Sequence, residues 1–387
     1  MARTVVNVDE MRRRARRRLP RMVFDFVDGG AEDEQSVRDN RAAFSRLALR
    51  PRRMVDVSTL DQRVSLLGGD PVRPVVLGPT GLTQLTHGSG ERAVARAAAR
   101  SGSLYCVSTM SNASLEQIRE VSDGELWFQL YLWRDTALVD QLVERARRAD
   151  YRALVVGIDV PAVGTRERDV RNGLTIPPRV KAHTAVDLAR HPRWMYQTLR
   201  AAGGMNFGNV ASARPGRVDT IAKYVNDELT NPAVGWDAIA RLRDSWEGPL
   251  VLKGLTTAED ATRAREVGVD AVVVSNHGGR QLDGEVSALQ ALPEVVAAAG
   301  SMEVYLDGGV RRGSDVVKAF ALGARACFVG RPYLYGLGAQ GEAGVDRVVE
   351  IFEHEIARTL ALVGCPRLAD LDTSYVVPVG APSTTTA

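Results

Sequence analysis

Residues 272–283 contain the side chains best suited to chemistry in this chain. A β-branched run there reads as a buried strand and leads directly into a loop with a histidine, two glycines and an arginine. His277 can take up a proton near neutral pH, and Arg280, three residues later, can bind a carboxylate with two hydrogen bonds. A base and an anion-binding group in one loop predict proton removal from a small acid. The alternative is a surface loop in which the two occur by chance.

The overall composition is that of an ordinary globular protein. Of 387 residues, 45% are hydrophobic and 25% are charged, and 50 basic residues are balanced by 47 acidic ones, so nothing indicates nucleic-acid binding. No apolar run is long enough to span a membrane, and the arginine-rich start lacks the apolar core of a secretory signal. Three scattered cysteines fit a reducing, cytoplasmic location, and neither they nor the other histidines have metal-site spacing.

Apolar strand-like runs alternate with helical stretches along most of the chain. The runs are 75–77, 104–107, 126–130, 154–158, 250–252, 271–274, 304–306 and 326–329. The helical stretches are 90–101, 114–120, 135–149, 257–267, 286–299, 313–323 and 340–363. Eight strands alternating with helices predict an α/β fold, a (β/α)8 TIM barrel, with an open doubly wound sheet as the alternative.

We predict a single barrel domain over residues 1–375 and a disordered tail at 376–387. Residues 1–70 form an N-terminal segment with helices at 8–19, 21–28 and 33–44. Residues 177–236 form a long insertion between the fourth and fifth barrel strands.

Chemically useful residues follow every predicted strand, where barrel enzymes place their active sites. They are Pro79, Thr80 and Gly81, then Ser108, Gln129 and Tyr131, then Asp159, Arg166 and Lys253, then Ser275, His277 and Arg280, and finally Asp307, Gly309, Arg311, Gly330 and Arg331. The last two strands lead into glycine turns with an arginine each. Backbone N–H groups, a helix N-terminus and guanidinium groups together predict a phosphate pocket there.

Four motifs resemble those of the FMN-dependent L-2-hydroxy-acid oxidases and dehydrogenases. They are SNHGGRQLD at 275–283, WFQLY at 127–131, LKG at 252–254 and DGGVR at 307–311. The resemblance covers about residues 7–375, and the His-Gly-Gly-Arg-Gln motif is highly specific. Within the family, GGAEDE at 29–34, GPTG at 78–81 and RERD at 166–169 look most like the mandelate dehydrogenases. Residues 191–210 look more like bacterial L-lactate dehydrogenases.

The resemblance implies a catalytic role for six residues. His277 is expected to be the general base that starts hydrogen removal from the substrate Cα, and Asp159 to stabilise the imidazolium. Arg166 and Arg280 are expected to hold the substrate carboxylate, and Tyr131 to bond to the substrate oxygens. Lys253, the sixth residue, is expected beside flavin N1 and O2.

The resemblance also implies FMN as the cofactor. Its expected binding residues are Pro79, Thr80, Gly81, Ser108, Gln129, Lys253, Ser275, Asp307, Gly309, Arg311, Gly330 and Arg331. The alternative for the charged members of this set is a buried ion-pair network that serves stability only.

Three departures from the family pattern bear on the substrate. Phe26 replaces the tyrosine that usually helps to grip the substrate carboxylate, a loss on the order of 1 kcal/mol. Met110 replaces the tryptophan of plant glycolate oxidases and leaves more room, and Gly157 replaces a common threonine. A mandelate-type or other bulky 2-hydroxy acid is therefore expected, with L-lactate and 4-hydroxymandelate as alternatives. An FMN-dependent isomerase, a peptide-modifying relative and a non-catalytic scaffold are the rival classes.

The insertion and the turn after the first barrel strand bear on the electron acceptor. The insertion mixes basic and aromatic residues, which favours contact with an anionic membrane surface, and an ordinary active-site lid is the alternative. Gly81 occupies a position where plant oxidases have alanine. Quinone and oxygen are the two alternatives for the oxidant, and these features mildly favour a membrane quinone. The resemblance further implies a homotetramer, cytoplasmic or peripheral on the inner face of the cell membrane.

Overall fold

The computed structural model describes residues 4–174, 181–201, 206–214, 216–228 and 230–380. Its strands there are β1 (Leu47–Leu49), β2 (Val75–Leu77), β3 (Tyr105–Ser108), β4 (Leu126–Tyr131), β5 (Ala153–Gly157), β6 (Leu250–Leu255), β7 (Ala271–Ser275), β8 (Glu303–Asp307), β9 (Ala326–Val329) and β10 (Val376–Pro378). Strands β2 to β9 form a closed parallel barrel in sequence order, and β9 pairs back onto β2. The predicted (β/α)8 barrel is confirmed.

The barrel strands are apolar almost throughout because both of their faces are covered. In β7, Ala-Val-Val-Val-Ser, every residue is buried. Strands of parallel sheets are buried on both sides, so their sequences show continuous β-branched runs instead of alternation. This burial explains why short runs of valine and leucine were enough to find all eight barrel strands.

Helices cover the outside of the barrel and precede it. They are α1 (Val8–Arg18), α2 (Arg21–Asp28), α3 (Gln35–Ser45), α4 (Gly90–Ser101), α5 (Leu115–Arg119), α6 (Thr136–Arg148), α7 (Glu167–Asn172), α8 (Ala182–Ala189), α9 (Pro192–Arg200), α10 (Gly208–Ala213), α11 (Val218–Glu228), α12 (Trp236–Ser245), α13 (Ala258–Glu266), α14 (Ala288–Ala299), α15 (Gly313–Ala321), α16 (Arg331–Gln340) and α17 (Glu342–Val363). In the described part of the chain, no helix is both long and apolar enough to cross a bilayer.

The helix predicted at 340–363 begins slightly later, and a separate helix precedes it. Gly341, at φ 66°, separates α16 from α17. Helix α16 is apolar and glycine-rich and is buried nearly throughout, so it has no polar face to give a periodic signal. A Cβ on Gly336 would lie 2.3 Å from the carbonyl oxygen of Gly344, so glycine allows the two helices to touch.

The predicted tail at 376–387 was wrong for its first residues. Val376–Pro378 form β10, which pairs antiparallel with β1, Leu47↔Pro378 to Leu49↔Val376. The two β-branched valines, Val376 and Val377, favour an extended strand opposite Leu49 and Ala48. Residues 381–387 lie outside the described residues.

The insertion between β5 and β6 contains four short helices, α8 to α11, in its described part. Trp194 of α9 is buried, and its indole N–H donates to the carbonyl of Leu85 at 2.7 Å. Other side chains of α9 face solvent, including Leu199 at 82% exposure. One face of this helix is therefore attached to the barrel and the other is exposed.

Candidate active site

A cleft of about 1470 Å³, including space open to solvent, lies at the C-terminal ends of the barrel strands. It is lined by the predicted residues Phe26, Pro79, Thr80, Gly81, Ser108, Met110, Gln129, Tyr131, Asp159, Arg166, Lys253, His277, Arg280, Asp307, Gly309, Arg311, Gly330 and Arg331. Ser275 does not line the cleft and lies behind Lys253. The structure thus brings together side chains more than 300 residues apart in sequence.

His277 and Asp159 form a close pair on one side of the cleft. His277 Nδ1 lies 2.9 Å from Asp159 Oδ1, although the ring is not turned to give a well-aligned hydrogen bond. Burial disfavours ionisation of Asp159, but the charges of His277 and Lys253 outweigh it, so the pKa of Asp159 is lowered. The carboxylate therefore stays charged beside the imidazole.

The backbone holds His277 in an uncommon conformation. Its φ is 55°, in the left-handed region that few residues other than glycine adopt. Its backbone N–H donates to Ser275 Oγ at 3.0 Å. Such strain persists where surrounding contacts enforce it, and it is concentrated at functional sites. The loop thus turns the imidazole into the cleft at a conformational cost.

Lys253 is a buried cation with a carboxylate partner. Its ammonium lies 2.6 Å from Asp307 Oδ2 and donates to Ser275 Oγ at 2.9 Å. Ser275 Oγ in turn donates to the same Asp307 oxygen at 2.9 Å. Burial lowers the pKa of Lys253, but Asp307 and Asp159 more than compensate, so that pKa is raised. The ammonium therefore stays charged at neutral pH.

Three arginines in the cleft bind backbone carbonyls. Arg280 donates to the carbonyls of Phe26 and Gly29, at 2.7 and 3.1 Å, and Arg331 donates to Gly29 at 2.7 Å. Arg311 donates to the carbonyl of Val310 at 2.8 Å. No described carboxylate forms an ion pair with any of the three. We call Arg280, Arg311 and Arg331 the carbonyl-bound arginines.

Electrostatics favours an anion beside two of the carbonyl-bound arginines, Arg280 and Arg311. Burial and the neighbouring Arg166 and Arg331 lower the pKa of Arg280 to about 9. Burial, together with Arg331, also lowers the pKa of Arg311. Buried charges in proteins are normally paired, and anionic ligands of the cleft would supply the missing charge.

Arg166 differs from the carbonyl-bound arginines because it has its own carboxylate. Its Nε donates to Asp169 Oδ2 at 2.9 Å. Burial raises the pKa of Asp169, against the opposing charges of Arg280 and Arg166. The guanidinium of Arg166 also lines the cleft, so it borders the space beside Arg280.

The opposite wall carries groups suited to a planar polar ring. Ser108 Oγ donates to Gln129 Oε1 at 3.0 Å, and Gln129 Nε2 is buried with no partner among the described residues. Glycines bring the backbone close: a Cβ on Gly157 would lie 2.9 Å from the Tyr131 ring, and one on Gly81 would lie 2.6 Å from Met110 Cβ. Burial raises the pKa of Tyr131, so its hydroxyl stays protonated and can donate.

FMN fits these features. The buried Nε of Arg331 and Nε2 of Gln129 are donors without partners in the described chain, and both residues line the cleft. A phosphate would satisfy the first and a carbonyl of a flavin ring the second. At Gly309, φ 81°, a Cβ would lie 2.1 Å from the carbonyl oxygen of Asn40, so only glycine fits in this turn.

Several lining residues were not predicted from sequence, among them Val160, Val163, Gln281 and Leu334. Val160 and Val163 follow Asp159 in the loop after β5, and Gln281 follows Arg280. Their position beside predicted residues could have identified them. Leu334 lies on α16, the helix that the sequence did not reveal, so no comparable signal existed for it.

The barrel and this cleft define a class of enzyme that holds an anionic substrate beside a phosphate-bearing cofactor. Residues 15–378 match the family described as FMN-dependent dehydrogenase. The chain is 43% identical over 376 residues to L-lactate oxidase of Nostoc sp., covering 96% of this chain and 98% of the relative. It is 40% identical over 384 residues to (S)-mandelate dehydrogenase of Pseudomonas putida, covering 99% and 97%.

A solved structure gives the same result. The crystal structure of the monotopic membrane protein (S)-mandelate dehydrogenase superimposes with a TM-score of 0.93 at 40% identity, covering 97% of this chain and 100% of that one. The chain belongs to the FMN-dependent dehydrogenase family, and it is an FMN-dependent oxidoreductase of 2-hydroxy acids.

Proposed function

We propose that this enzyme oxidises a bulky, mandelate-type L-2-hydroxy acid to the 2-oxo acid. The observation that carries the proposal is the position of a base and an unpaired guanidinium in one cleft: His277 beside Asp159, and Arg280 bound only to carbonyls. The guanidinium can hold a carboxylate while the imidazole reaches the carbon next to it.

The catalytic roles follow from the chemistry of each group. His277 would act as the general base that starts hydrogen removal at the substrate Cα, and Asp159 would stabilise the imidazolium that forms. Arg280 and Arg166 would hold the substrate carboxylate, and the hydroxyl of Tyr131 would donate to a substrate oxygen. When bound, FMN supplies the two-electron oxidant.

The cofactor-binding roles divide along the cleft. Arg311 and Arg331, with the backbone at Gly309 and Gly330, would hold the phosphate. Lys253 would place its positive charge near the flavin ring. The remaining residues proposed to contact the ring or to support these contacts are Pro79, Thr80, Gly81, Ser108, Gln129, Ser275 and Asp307.

The apolar side of the cleft supports a bulky substrate. Phe26, Met110, Val160 and Val163 line it and offer no charged group to a substrate side chain. Arg280 Cζ lies over the Phe26 ring, 5.1 Å from the ring centroid. A hydrophobic side chain attached to the carbon next to the carboxylate would therefore meet aromatic and aliphatic surface. L-Lactate and 4-hydroxymandelate are the competing substrates.

The test is anaerobic flavin reduction by glycolate, L-lactate, (S)-mandelate and 4-hydroxy-(S)-mandelate. We expect 2-hydroxy acids to reduce the bound flavin without any added cofactor. The largest kcat/KM should be found for one of the two aromatic acids. A preference for L-lactate over both mandelates would refute the bulky-substrate proposal. Failure of every acid to reduce a flavin that dithionite does reduce would favour a peptide-modifying or isomerase activity.

We also propose that the insertion contacts an anionic membrane and that quinone is the electron acceptor. Helix α9 exposes Met195, Tyr196 and Leu199, and Arg200 lies over the Tyr196 ring at 4.7 Å. Apolar and aromatic side chains flanked by cations are typical of helices that lie on membranes. The similar (S)-mandelate dehydrogenase of known structure is itself a monotopic membrane protein. The homotetramer and the cytoplasmic location stay predictions.

Vesicle binding tests the membrane proposal. Vesicles that contain phosphatidylserine should bind the enzyme, less tightly as salt rises, and a quinone analogue should reoxidise it faster than air-saturated buffer. Tyr196→Ser with Leu199→Ser should weaken vesicle binding, whereas Leu362→Ser, at an exposed leucine of α17, should not. Stoichiometric peroxide at the turnover rate, without vesicle binding, would make this a soluble oxidase.

A further inference from the structure

A second part of the insertion is buried against the barrel instead of being exposed. Residues 207–210, Phe-Gly-Asn-Val, which we call the anchor, are at most 5% exposed at Phe207, Asn209 and Val210. At Gly208 a Cβ would lie 2.5 Å from the carbonyl oxygen of Asn112 and 2.6 Å from Ser114 N. Only glycine allows such close contact between the two backbones. The anchor therefore docks on the loop that follows β3.

Asn209 is the centre of this contact. Its side-chain oxygen accepts from the backbone N–H of Leu115 at 2.9 Å. Its amide group donates to the carbonyls of Ser108 and Thr109, both at 3.3 Å, and to Ser111 Oγ at 3.2 Å. Asn209 is fully buried, and both ends of its amide are hydrogen-bonded. A single side chain thus fixes both ends of the 108–115 loop.

The residues that Asn209 holds are in contact with the proposed flavin wall. Ser108 Oγ donates to the Gln129 side chain, and Thr109 Oγ1 donates to the Gln129 carbonyl at 2.7 Å. The N–H of Tyr131 donates to Thr109 Oγ1 at 3.2 Å. A displacement of the Ser108 and Thr109 backbone would therefore shift both Gln129 and Tyr131.

The same loop also sets the position of the turn after β2. Leu82 N donates to the carbonyl of Met110 at 3.1 Å, and Gly81 has no room for a Cβ beside Met110. Three pieces of the cleft are therefore in direct contact: the 108–115 loop, the Gly81 turn and the Gln129–Tyr131 strand end. Asn209 binds the first of them from outside the cleft.

We propose that Asn209 is a positioning residue for the flavin pocket. It holds the backbone of Ser108 and Thr109 so that Gln129, Tyr131 and Met110 keep the geometry that FMN and substrate require. The inference rests on the proposed roles of Ser108 and Gln129 at the flavin and not on the identity of the substrate. It makes the insertion a structural part of the active site as well as a surface element.

The experiment is an FMN titration of apoprotein for the wild type, Asn209→Ala, Asn209→Ser and Asn231→Ala. Asn231 is a matched control because it belongs to the same insertion and its amide donates to a barrel-loop carbonyl, that of Leu132, at 3.2 Å. We expect Asn209→Ala to raise the FMN dissociation constant by about tenfold, since hydrogen bonds to buried carbonyls are lost. Its bound-flavin absorption spectrum should shift, and KM should rise more than kcat falls.

The two other variants make the result decisive. Asn209→Ser keeps one short donor and should lie between the wild type and Asn209→Ala, and Asn231→Ala should match the wild type in affinity and spectrum. A folded Asn209→Ala protein with wild-type FMN affinity and spectrum, whatever its melting temperature, would overturn the proposal. If Asn209→Ala does not fold, the same outcome in Asn209→Ser overturns it. A wild type that binds FMN but oxidises no 2-hydroxy acid would refute the proposed function and leave this titration valid.

Discussion

The cleft contains basic side chains of two kinds, those beside a carboxylate of the chain and those without one. His277 and Lys253 face Asp159 and Asp307, so the chain supplies the counter-charge. The carbonyl-bound arginines face only backbone oxygens among the residues that the structure describes. We propose that the paired side chains serve the reaction and that the unpaired arginines hold anionic ligands.

The two kinds of side chain should respond differently to the loss of charge. Removing one partner of a buried pair leaves the other charged and unsatisfied, which is strongly destabilising. Removing an arginine that has no carboxylate partner relieves desolvation and repulsion but loses its hydrogen bonds to backbone carbonyls, so the net effect on stability should be small and the main loss should be in ligand binding. Loss of a paired side chain should therefore lower both stability and activity. Loss of an unpaired arginine should lower activity with little effect on stability.

The largest expected effect is at His277, one of the paired side chains. His277→Gln should keep FMN and lower the rate of flavin reduction by on the order of 10³- to 10⁴-fold, because the general base is lost. Anaerobic stopped-flow measurement of flavin bleaching checks this. His354→Gln, at an exposed histidine of α17, is the control and should react normally. Turnover like the wild type in His277→Gln would rule out this base.

Next in size is the comparison of Arg280 with Arg166. Arg280→Met should lower kcat/KM by about 100-fold or more, since two charge-assisted hydrogen bonds to the carboxylate are lost. Its melting temperature should stay the same or rise. Arg166→Met should lower the melting temperature, because Asp169 loses its ion-pair partner. Equal loss of stability in both variants would show that the distinction between paired and unpaired side chains is false.

Lys253→Met should have a smaller effect on rate and a clear one on stability. We expect about tenfold slower reduction and a lower flavin reduction potential, because a cation near the ring favours its reduced form. Loss of the partner of Asp307 should cost on the order of 3–5 kcal/mol of unfolding free energy. Lys318→Met is the control, since Lys318 donates to a backbone carbonyl, that of Phe44. An unchanged potential in spectroelectrochemical titration would place Lys253 away from the ring.

The smallest effect should come from Phe26→Tyr. The new hydroxyl can donate to the substrate carboxylate, a gain on the order of 1 kcal/mol, so KM should fall by about three- to tenfold. Initial-rate kinetics should be measured with the acid substrate and with its amide, which has no carboxylate. KM should fall for the acid alone. An equal fall in KM for both compounds would mean that the new hydroxyl does not bind the substrate carboxylate.

The sequence was sufficient to predict the barrel and to identify residues that line the cleft at the ends of its strands. Strands such as β7 are buried on both faces and so appear as unbroken apolar runs, which made their ends easy to locate. Once the ends are known, the parallel barrel requires that the residues after them meet. This is why the sequence alone predicts that His277, Lys253 and Asp159 lie in one cleft.

Contacts between a side chain and a distant backbone could not be predicted. Arg280 binds the carbonyl of Phe26, 254 positions away, and Asn209 binds that of Ser108, 101 positions away. Neither contact has a periodic pattern, and Gly-Asn in a sequence reads as a turn. Helix α16 and strand β10 were missed for related reasons, since one has no polar face and the other is three residues long.

The β1–β10 pairing has a consequence for biosynthesis. Leu47–Leu49 leaves the ribosome roughly 330 residues before its partner strand, Val376–Pro378, has been made. At about 5–20 residues per second, the apolar strand remains unpaired for roughly 15 to 65 seconds. The pairing cannot form before Val376–Pro378 has been made, so a nascent chain stalled before Val376 should be cleaved by protease near β1, whereas a chain that includes β10 should resist.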